Sequence, residues 1–107
     1  MIKKINFETA RAVLDANENA VLLDVRTEEE YEWEHAVGAK LLCLDAIDAD
    51  TAAAVIPDLT THTVIYCRSG NRSALAAKRL ARLGYENLYD IGGLNGWPYG
   101  TTTGLDE

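Results

Sequence analysis

The chain has 107 residues, which predicts one domain over residues 1–107. Its net charge of −7 argues against nucleic-acid binding, and it has no run of the roughly 20 apolar residues that a membrane span needs. No apolar segment follows the basic residues at the start, so no secretion signal is predicted. Cys43 and Cys67 form no C-x-x-C pair and have few other candidate ligands nearby, which predicts neither a metal nor another cofactor. Free thiols suit a reducing compartment, so the expected location is cytoplasmic.

The first third of the chain predicts a helix, a strand and a second helix. Asn6 can cap a helix over Phe7–Leu14. The short apolar run Ala20–Val25 is typical of a buried strand. Thr27 can cap a short acidic helix, because Glu30 stands three residues later and completes a capping box.

The middle of the chain continues the alternation of strands and helices. Ala39–Leu44 is a strand candidate, and Asp45 can cap a helix that runs through Ala54. Thr63–Tyr66 is the clearest strand, since β-branched and aromatic residues dominate it.

The last third predicts a loop, a helix and a final strand. The polar loop Cys67–Arg72 leads into a helix over Ser73–Leu83, whose apolar residues share one face. Glu86–Ile91 is a short strand, and the glycine-rich tail from Gly92 is expected to be mostly loop. Uniformly apolar strands between helices predict an α/β fold, with a mainly parallel sheet covered by helices on both faces. Ligands of such sheets bind outside the carboxyl ends of the strands, where the loop after Tyr66 lies.

This loop has the composition of a site that activates a thiol. Cys67 stands at the end of a strand and just before a helix, whose N-terminus carries a partial positive charge. That charge and the two cations Arg68 and Arg72 favour the thiolate, which is the nucleophilic form. Gly70 lets the backbone N–H groups curl inward around an anion. Further side-chain donors come from Ser69, Asn71 and Ser73. A buried, inert cysteine is the alternative, but its apolar surroundings would not require two arginines, a glycine and three donors.

The charge distribution points to the same segment. No Asp or Glu occurs from Leu59 to Tyr85, a stretch that contains five cations. Three of them, Lys78, Arg79 and Arg82, are expected on the solvated face of a helix. The other two belong to the cysteine loop, where they can attract an anion.

Four segments in order resemble the motifs of rhodanese-like sulfurtransferases. Cys67-Arg-Ser-Gly-Asn-Arg72 resembles the active-site loop of that family. Asp24-Val25-Arg26, Tyr31-x3-His35-Ala36-Val37-Gly38-Ala39 and Gly92-Gly93-x3-Trp97 resemble three further elements. The resemblance covers about residues 20 to 97. Ala36-Val37 replaces the usual Ile-Pro, and Pro98 interrupts any helix after the glycine pair.

The resemblance implies a rhodanese-like α/β fold with about five sheet strands. It also implies a two-step transfer, in which Cys67 takes sulfane sulfur from an anionic donor such as thiosulfate and passes it to cyanide or a thiol. The loop residues Arg68 to Arg72 would bind the substrate. A sulfur-relay protein is an alternative partner.

The remaining candidates are expected to be structural. Hydrogen bonds that fix loops are expected for Asp24, Arg26 and His35, as supporting residues of the site. Packing in the core is expected for Trp33, Trp97 and Cys43.

Three other functions compete with this interpretation. A phosphatase or arsenate reductase also places a thiolate and an arginine around an oxyanion, but in a C-x5-R loop, whereas Cys67 to Arg72 is C-x4-R. A binding module without activity would not require an intact cysteine loop. A sulfur relay shares the chemistry of the transferase and differs in its substrate.

Overall fold

The computed structural model describes residues 2–104. Its strands in chain order are Ile2–Lys4 (β1), Val21–Asp24 (β2), His35–Ala36 (β3), Lys40–Leu41 (β4), Thr63–Cys67 (β5), Leu88–Gly93 (β6) and Thr101–Thr102 (β7). Its helices are Phe7–Ala16 (α1), Glu28–Trp33 (α2), Ala49–Val55 (α3) and Asn71–Arg82 (α4), with a 3₁₀ turn at Leu44–Ala46.

Five strands form one parallel sheet in the order β1-β6-β5-β2-β4. This confirms the predicted mainly parallel sheet. Strand β5 lies in the middle of the sheet, so its last residue, Cys67, lies at the centre of the carboxyl edge. The short strands β3 and β7 pair antiparallel to each other and form a separate small sheet.

The core lies in two layers on the two faces of the sheet, because successive strand residues point to opposite sides. On β5, Ile65 and Cys67 pack into the layer that includes buried residues of α3 and α4. Val64 and Tyr66 pack into the other layer, with buried residues of α1 and α2. Helices therefore cover both faces, as the apolar strands predicted.

The predicted caps of the first two helices are confirmed. Asn6 Oδ1 accepts from the Thr9 N–H at 2.8 Å, and α1 follows it. Thr27 and Glu30 form the predicted capping box at the start of α2. Each cap pairs a backbone N–H that has no partner within its helix.

The region between β4 and α3 differs from the prediction. The predicted strand Ala39–Leu44 is reduced to β4 and runs into the 3₁₀ turn. Asp45 lies in that turn, and Asp48 caps α3 instead. Asp48 is the cap because Thr51 lies three residues later and completes a capping box. The Thr51 N–H donates to Asp48 Oδ1 at 2.8 Å, and the Thr51 hydroxyl accepts from the Asp48 N–H at 2.9 Å.

Three strand assignments at the chain ends also differ from the prediction. The exposed edge strand β1 has no apolar pattern to reveal it. Strand β6 runs over Leu88–Gly93 and not Glu86–Ile91, so it includes both glycines. The tail contributes β7, a two-residue strand too short to leave an alternating pattern.

Candidate active site

Cys67 lies at the carboxyl end of β5, and its side chain is 0% exposed. The Gly70 N–H donates to Cys67 Sγ at 2.8 Å, and Sγ donates to Ser73 Oγ at 3.6 Å. Ser73 Oγ in turn donates to the Gly70 carbonyl at 3.0 Å. The sulfur therefore lies inside a turn that supplies a backbone donor and a hydroxyl.

This turn depends on Gly70, which has a φ of 101°. That left-handed conformation is open to glycine and disfavoured for other residues. Gly70 is the N-cap residue of α4, and the helix begins at Asn71, two residues before the predicted start at Ser73. Asn71 and Arg72 thus lie in the first turn of the helix, and its positive N-terminal end is next to the sulfur.

The glycine pair of β6 lets the cysteine turn pack directly on the neighbouring strand. Gly93 pairs with Cys67, and the Leu94 N–H donates to the Cys67 carbonyl at 2.9 Å. A Cβ atom on Gly93 would lie 2.3 Å from the Arg68 carbonyl oxygen. Since real Cβ atoms do not approach backbone so closely, Gly93 can carry no side chain without moving the turn.

Arg72 forms a two-pronged ion pair with Glu30 of α2. Its Nη1 and Nη2 donate to Glu30 Oε1 at 2.6 Å and Oε2 at 2.9 Å. These hydrogen bonds raise the pKa of Arg72, and the nearby charge of Cys67 as a thiolate acts in the same direction. The same bonds, with further donors from Thr27, lower the pKa of Glu30 to about 2. The predicted anion-binding arginine therefore already holds a carboxylate, which ties α2 to α4.

Replacing Glu30 with glutamine should lower the free energy of unfolding by about 1 kcal/mol at neutral pH, because the pair is only partly buried. A depressed carboxyl pKa stabilises the folded state above the ordinary value of 4.5 and loses this effect as pH falls towards about 2. The difference in free energy of unfolding between wild type and Glu30→Gln should therefore be largest at neutral pH and should disappear as pH falls from 4.5 towards about 2. Urea unfolding along a pH series measures it. Glu28→Gln, also in the first turn of α2, controls for the loss of a charge near the helix dipole, and an equal pH-dependent gap for that variant would contradict the assignment.

A second buried network lies at the end of β2. Asp24 accepts from Arg26 through its backbone N–H at 2.9 Å, Nε at 3.0 Å and Nη2 at 2.8 Å. Tyr66, the neighbour of Cys67, donates its hydroxyl to Asp24 Oδ2 at 2.5 Å and accepts from the Ala36 N–H at 3.1 Å. Arg26 Nη2 also donates to the Glu34 carbonyl at 2.5 Å.

Arg26 and Tyr66 keep one protonation state in this network. Burial lowers the pKa of Arg26, but the hydrogen bond and charge of Asp24 outweigh it, so that pKa is raised. Burial and the charge of Asp24 raise the pKa of Tyr66 well above its usual range. The network thus holds a charged guanidinium on Arg26 and a neutral phenol on Tyr66, whose side chain lies on the face of the sheet opposite Cys67.

His35 is fully buried. Its Nδ1 bonds the Tyr31 carbonyl at 2.7 Å, and the two rings stack with centroids 3.7 Å apart. Trp97 is packed, edge-on to Phe7, as predicted. The packing prediction for Trp33 was wrong: its side chain is 82% exposed, because the other face of the short helix α2 turns inward through Tyr31.

An open cleft of about 900 Å³ borders the cysteine turn. Arg68 and Ser69 of the turn are exposed along it. The rest of its wall comes from the loop after β2, from α2 and its end, from the segment after β6 and from β7. Those residues are Arg26, Glu29, Glu30, Trp33, Glu34, Leu94, Asn95, Gly96, Trp97 and Thr101.

The arrangement suits covalent chemistry by a thiolate. A backbone donor, a hydroxyl and a helix N-terminus surround one sulfur, and a cleft adjoins them. Cys43 is a half-buried free thiol. Residues 2–104 contain no group of three or more metal-ligating side chains, and no helix within them is long and apolar enough to cross a membrane.

Comparison with known proteins decides the family. The model of the Rhodanese-like domain family matches residues 8–98. The chain belongs to this family. Among solved structures, the rhodanese-like fold recurs in a chain described as rhodanese with anions from Escherichia coli, with a TM-score of 0.73, 29% identity, and coverage of 79% of this chain and 99% of that one.

Named relatives of this rhodanese-like protein take part in sulfur transfer. Thiosulfate sulfurtransferase PspE of Escherichia coli is 36% identical over 72 residues, which cover 67% of this chain and 68% of PspE. Adenylyltransferase and sulfurtransferase uba4 of Ogataea parapolymorpha is 41% identical over 88 residues, or 78% of this chain. The match spans 21% of that relative, so the chain corresponds to about a fifth of its length. Family and relatives together support sulfur transfer in general.

The sequence left two residues of the site without their roles. Glu30 was assigned only to a helix cap, although it also pairs with Arg72, 42 positions away. Tyr66 was assigned only to a strand, although its hydroxyl bridges Asp24 and the Ala36 N–H. Neither long-range contact leaves a local pattern, whereas the alternation of faces along β5 does place Tyr66 opposite Cys67.

Proposed function

We propose that this rhodanese-like protein is a sulfurtransferase that carries sulfur on Cys67 as a persulfide. The observation that carries the proposal is the hydrogen bond from the Gly70 N–H to Cys67 Sγ at 2.8 Å, at the N-terminus of α4. A donor aimed at sulfur in this way stabilises negative charge on it.

In the first step the Cys67 thiolate attacks the sulfane sulfur of a donor such as thiosulfate. A sulfur–sulfur bond forms to Cys67, the donor's own sulfur–sulfur bond breaks, and sulfite leaves with the electron pair. Exposed Arg68 and Ser69 would receive the anionic donor at the cleft, and Asn71 would add a donor at the first position of α4.

In the second step a nucleophile such as cyanide or a thiol attacks the outer sulfur of the persulfide. The bond between the two sulfurs breaks, and the electron pair returns to Cys67 as thiolate. The turn around Gly70 stabilises the charge before and after transfer, and the Ser73 hydroxyl can rotate to donate to the sulfur. Arg72, whose side chain is held by Glu30, would add positive charge near the sulfur of Cys67.

Asp24, Arg26 and His35 support the site through position. Asp24 and Arg26 hold the end of β2 beside Tyr66, and His35 fixes the chain after α2. The name of the relative uba4 favours sulfur relay to a protein as a setting for the same chemistry. A cytoplasmic location fits a mechanism that needs a reduced Cys67.

Initial rates of thiocyanate formation from thiosulfate and cyanide test this mechanism. Two separate steps predict parallel double-reciprocal lines when one substrate is varied at several fixed concentrations of the other. Phosphate esters and arsenate should not turn over, because the C-x4-R loop of Cys67 to Arg72 is one residue shorter than the C-x5-R loop that holds those oxyanions. Intersecting lines, or a phosphatase activity that depends on Cys67, would contradict the proposal.

A further inference from the structure

The cleft beside the cysteine turn carries more unpaired carboxylates than unpaired cations. Three carboxylates and two guanidinium groups line it. The guanidinium of Arg26 is matched by buried Asp24, and Glu30 is matched by Arg72. Within residues 2–104, the lining charges left without an ion pair are Arg68, Glu29 and Glu34, with a net charge of −1.

The α2 side of the cleft combines carboxylates with an exposed aromatic ring. Trp33 is 82% exposed, an unusual exposure for the largest apolar side chain. Glu29 lies one helical turn before it, and both line the cleft. Glu28 and Glu32 are exposed on the same short helix. We refer to Glu28, Glu29, Glu32 and Trp33 as the α2 face.

These features fit one class of partner. Tryptophan over a lysine or arginine gives a favourable cation–π contact, and neighbouring carboxylates add attraction for the same cations. Trp97 also lines the cleft, and its buried indole N–H has no acceptor among residues 2–104. Resting on the function proposed above, we infer that the α2 face docks a basic polypeptide segment of a protein that presents its thiol to Cys67.

The chemistry needs no further reactant. The partner's thiolate attacks the outer sulfur of the Cys67 persulfide, the bond between the two sulfurs breaks, and the electron pair remains on Cys67. The partner leaves as a persulfide. The α2 face raises the local concentration of this thiol beside the cleft and takes no part in bond breaking.

Two synthetic peptides of equal length test the docking surface, each with one cysteine flanked by lysine and arginine or by glutamate. Transfer from persulfide-loaded protein, divided by the rate with cyanide, should be about tenfold faster for the basic peptide at low salt. This preference should fall with salt and approach one in Trp33→Ala and in Glu29→Gln/Glu32→Gln. The double variant Glu18→Gln/Asp58→Asn is the matched control: both residues are exposed in loops that precede strands, at the opposite edge of the sheet. It should keep the preference.

Binding of the basic peptide to Cys67→Ser protein, followed by the combined fluorescence of exposed Trp33 and buried Trp97, gives a readout that is independent of sulfur transfer. Saturable quenching that is weaker in Glu29→Gln/Glu32→Gln would support docking, whether or not the protein can be loaded with persulfide. Failure to load persulfide would count against the proposed function and not against docking. Equal rates and equal binding for the two peptides would overturn the docking inference. A dimer that Trp33→Ala converts to a monomer would assign the α2 face to a second copy and overturn it as well.

Discussion

Replacing Cys67 with serine is expected to abolish thiocyanate formation, with a loss of at least about 1,000-fold. The hydroxyl of serine is not ionised at neutral pH and has little reactivity toward sulfane sulfur, so the covalent step has no nucleophile. The fold should survive, because the hydroxyl can still accept from the Gly70 N–H and lie near Ser73 Oγ. A stability change of about 1 to 2 kcal/mol is typical of such a buried substitution.

Cys43→Ser is the matched control for this prediction. Cys43 is also a free thiol, but it is half-buried and lies before the 3₁₀ turn. The Cys43 variant should keep the wild-type rate, with the colour of the ferric thiocyanate complex as the assay. If the two variants lost activity equally, or if Cys67→Ser retained most of it, Cys67 would not be the nucleophile.

Replacing Asp24 with alanine is expected to lower the free energy of unfolding by about 3 to 5 kcal/mol. Asp24 is fully buried and accepts from Arg26 and from the Tyr66 hydroxyl. Its loss leaves a buried guanidinium without its carboxylate and a phenol without its acceptor, and each unsatisfied group destabilises the folded state. Urea unfolding near neutral pH measures the change.

Two further variants show whether the burial of this pair explains the loss. Asp15→Ala breaks the exposed Arg11–Asp15 pair of α1 and should change stability by about 0.5 kcal/mol or less. Asp24→Leu/Arg26→Met removes both buried charges and should be less destabilised than Asp24→Ala, because no unpaired charge remains. Equal losses in Asp24→Ala and Asp15→Ala would contradict the account.

Most of the sheet and the helices could be predicted, because buried parallel strands and helix caps leave local signals. The apolar runs around Val21–Asp24 and Thr63–Cys67 and the capping box at Thr27 are such signals. Strands β3 and β7 could not be predicted, since two residues cannot show a period of two. Asp45 was predicted as the cap of the third helix, but Asp48 caps it, because Thr51 completes a capping box with Asp48.

The position of Cys67 could be predicted from its place between a strand and a helix, but the partners of the arginines could not. Arg72 was expected to face an anionic substrate, and it holds Glu30 of a helix 42 positions earlier. The need for a glycine at position 93 could not be predicted either, since the closeness of Gly93 to the Arg68 carbonyl depends on the register between β5 and β6. Exposure of Trp33 depends on which face of α2 packs inward, and a helix of six residues leaves that choice open.

Intact-mass measurement of the reduced protein after exposure to thiosulfate tests the central claim most directly. The wild type should gain the mass of one sulfur atom and lose it on addition of cyanide, while Cys67→Ser should show neither change. The same gain in Cys67→Ser would contradict a persulfide on Cys67. So would a wild type that gains no sulfur from thiosulfate or from a protein persulfide donor.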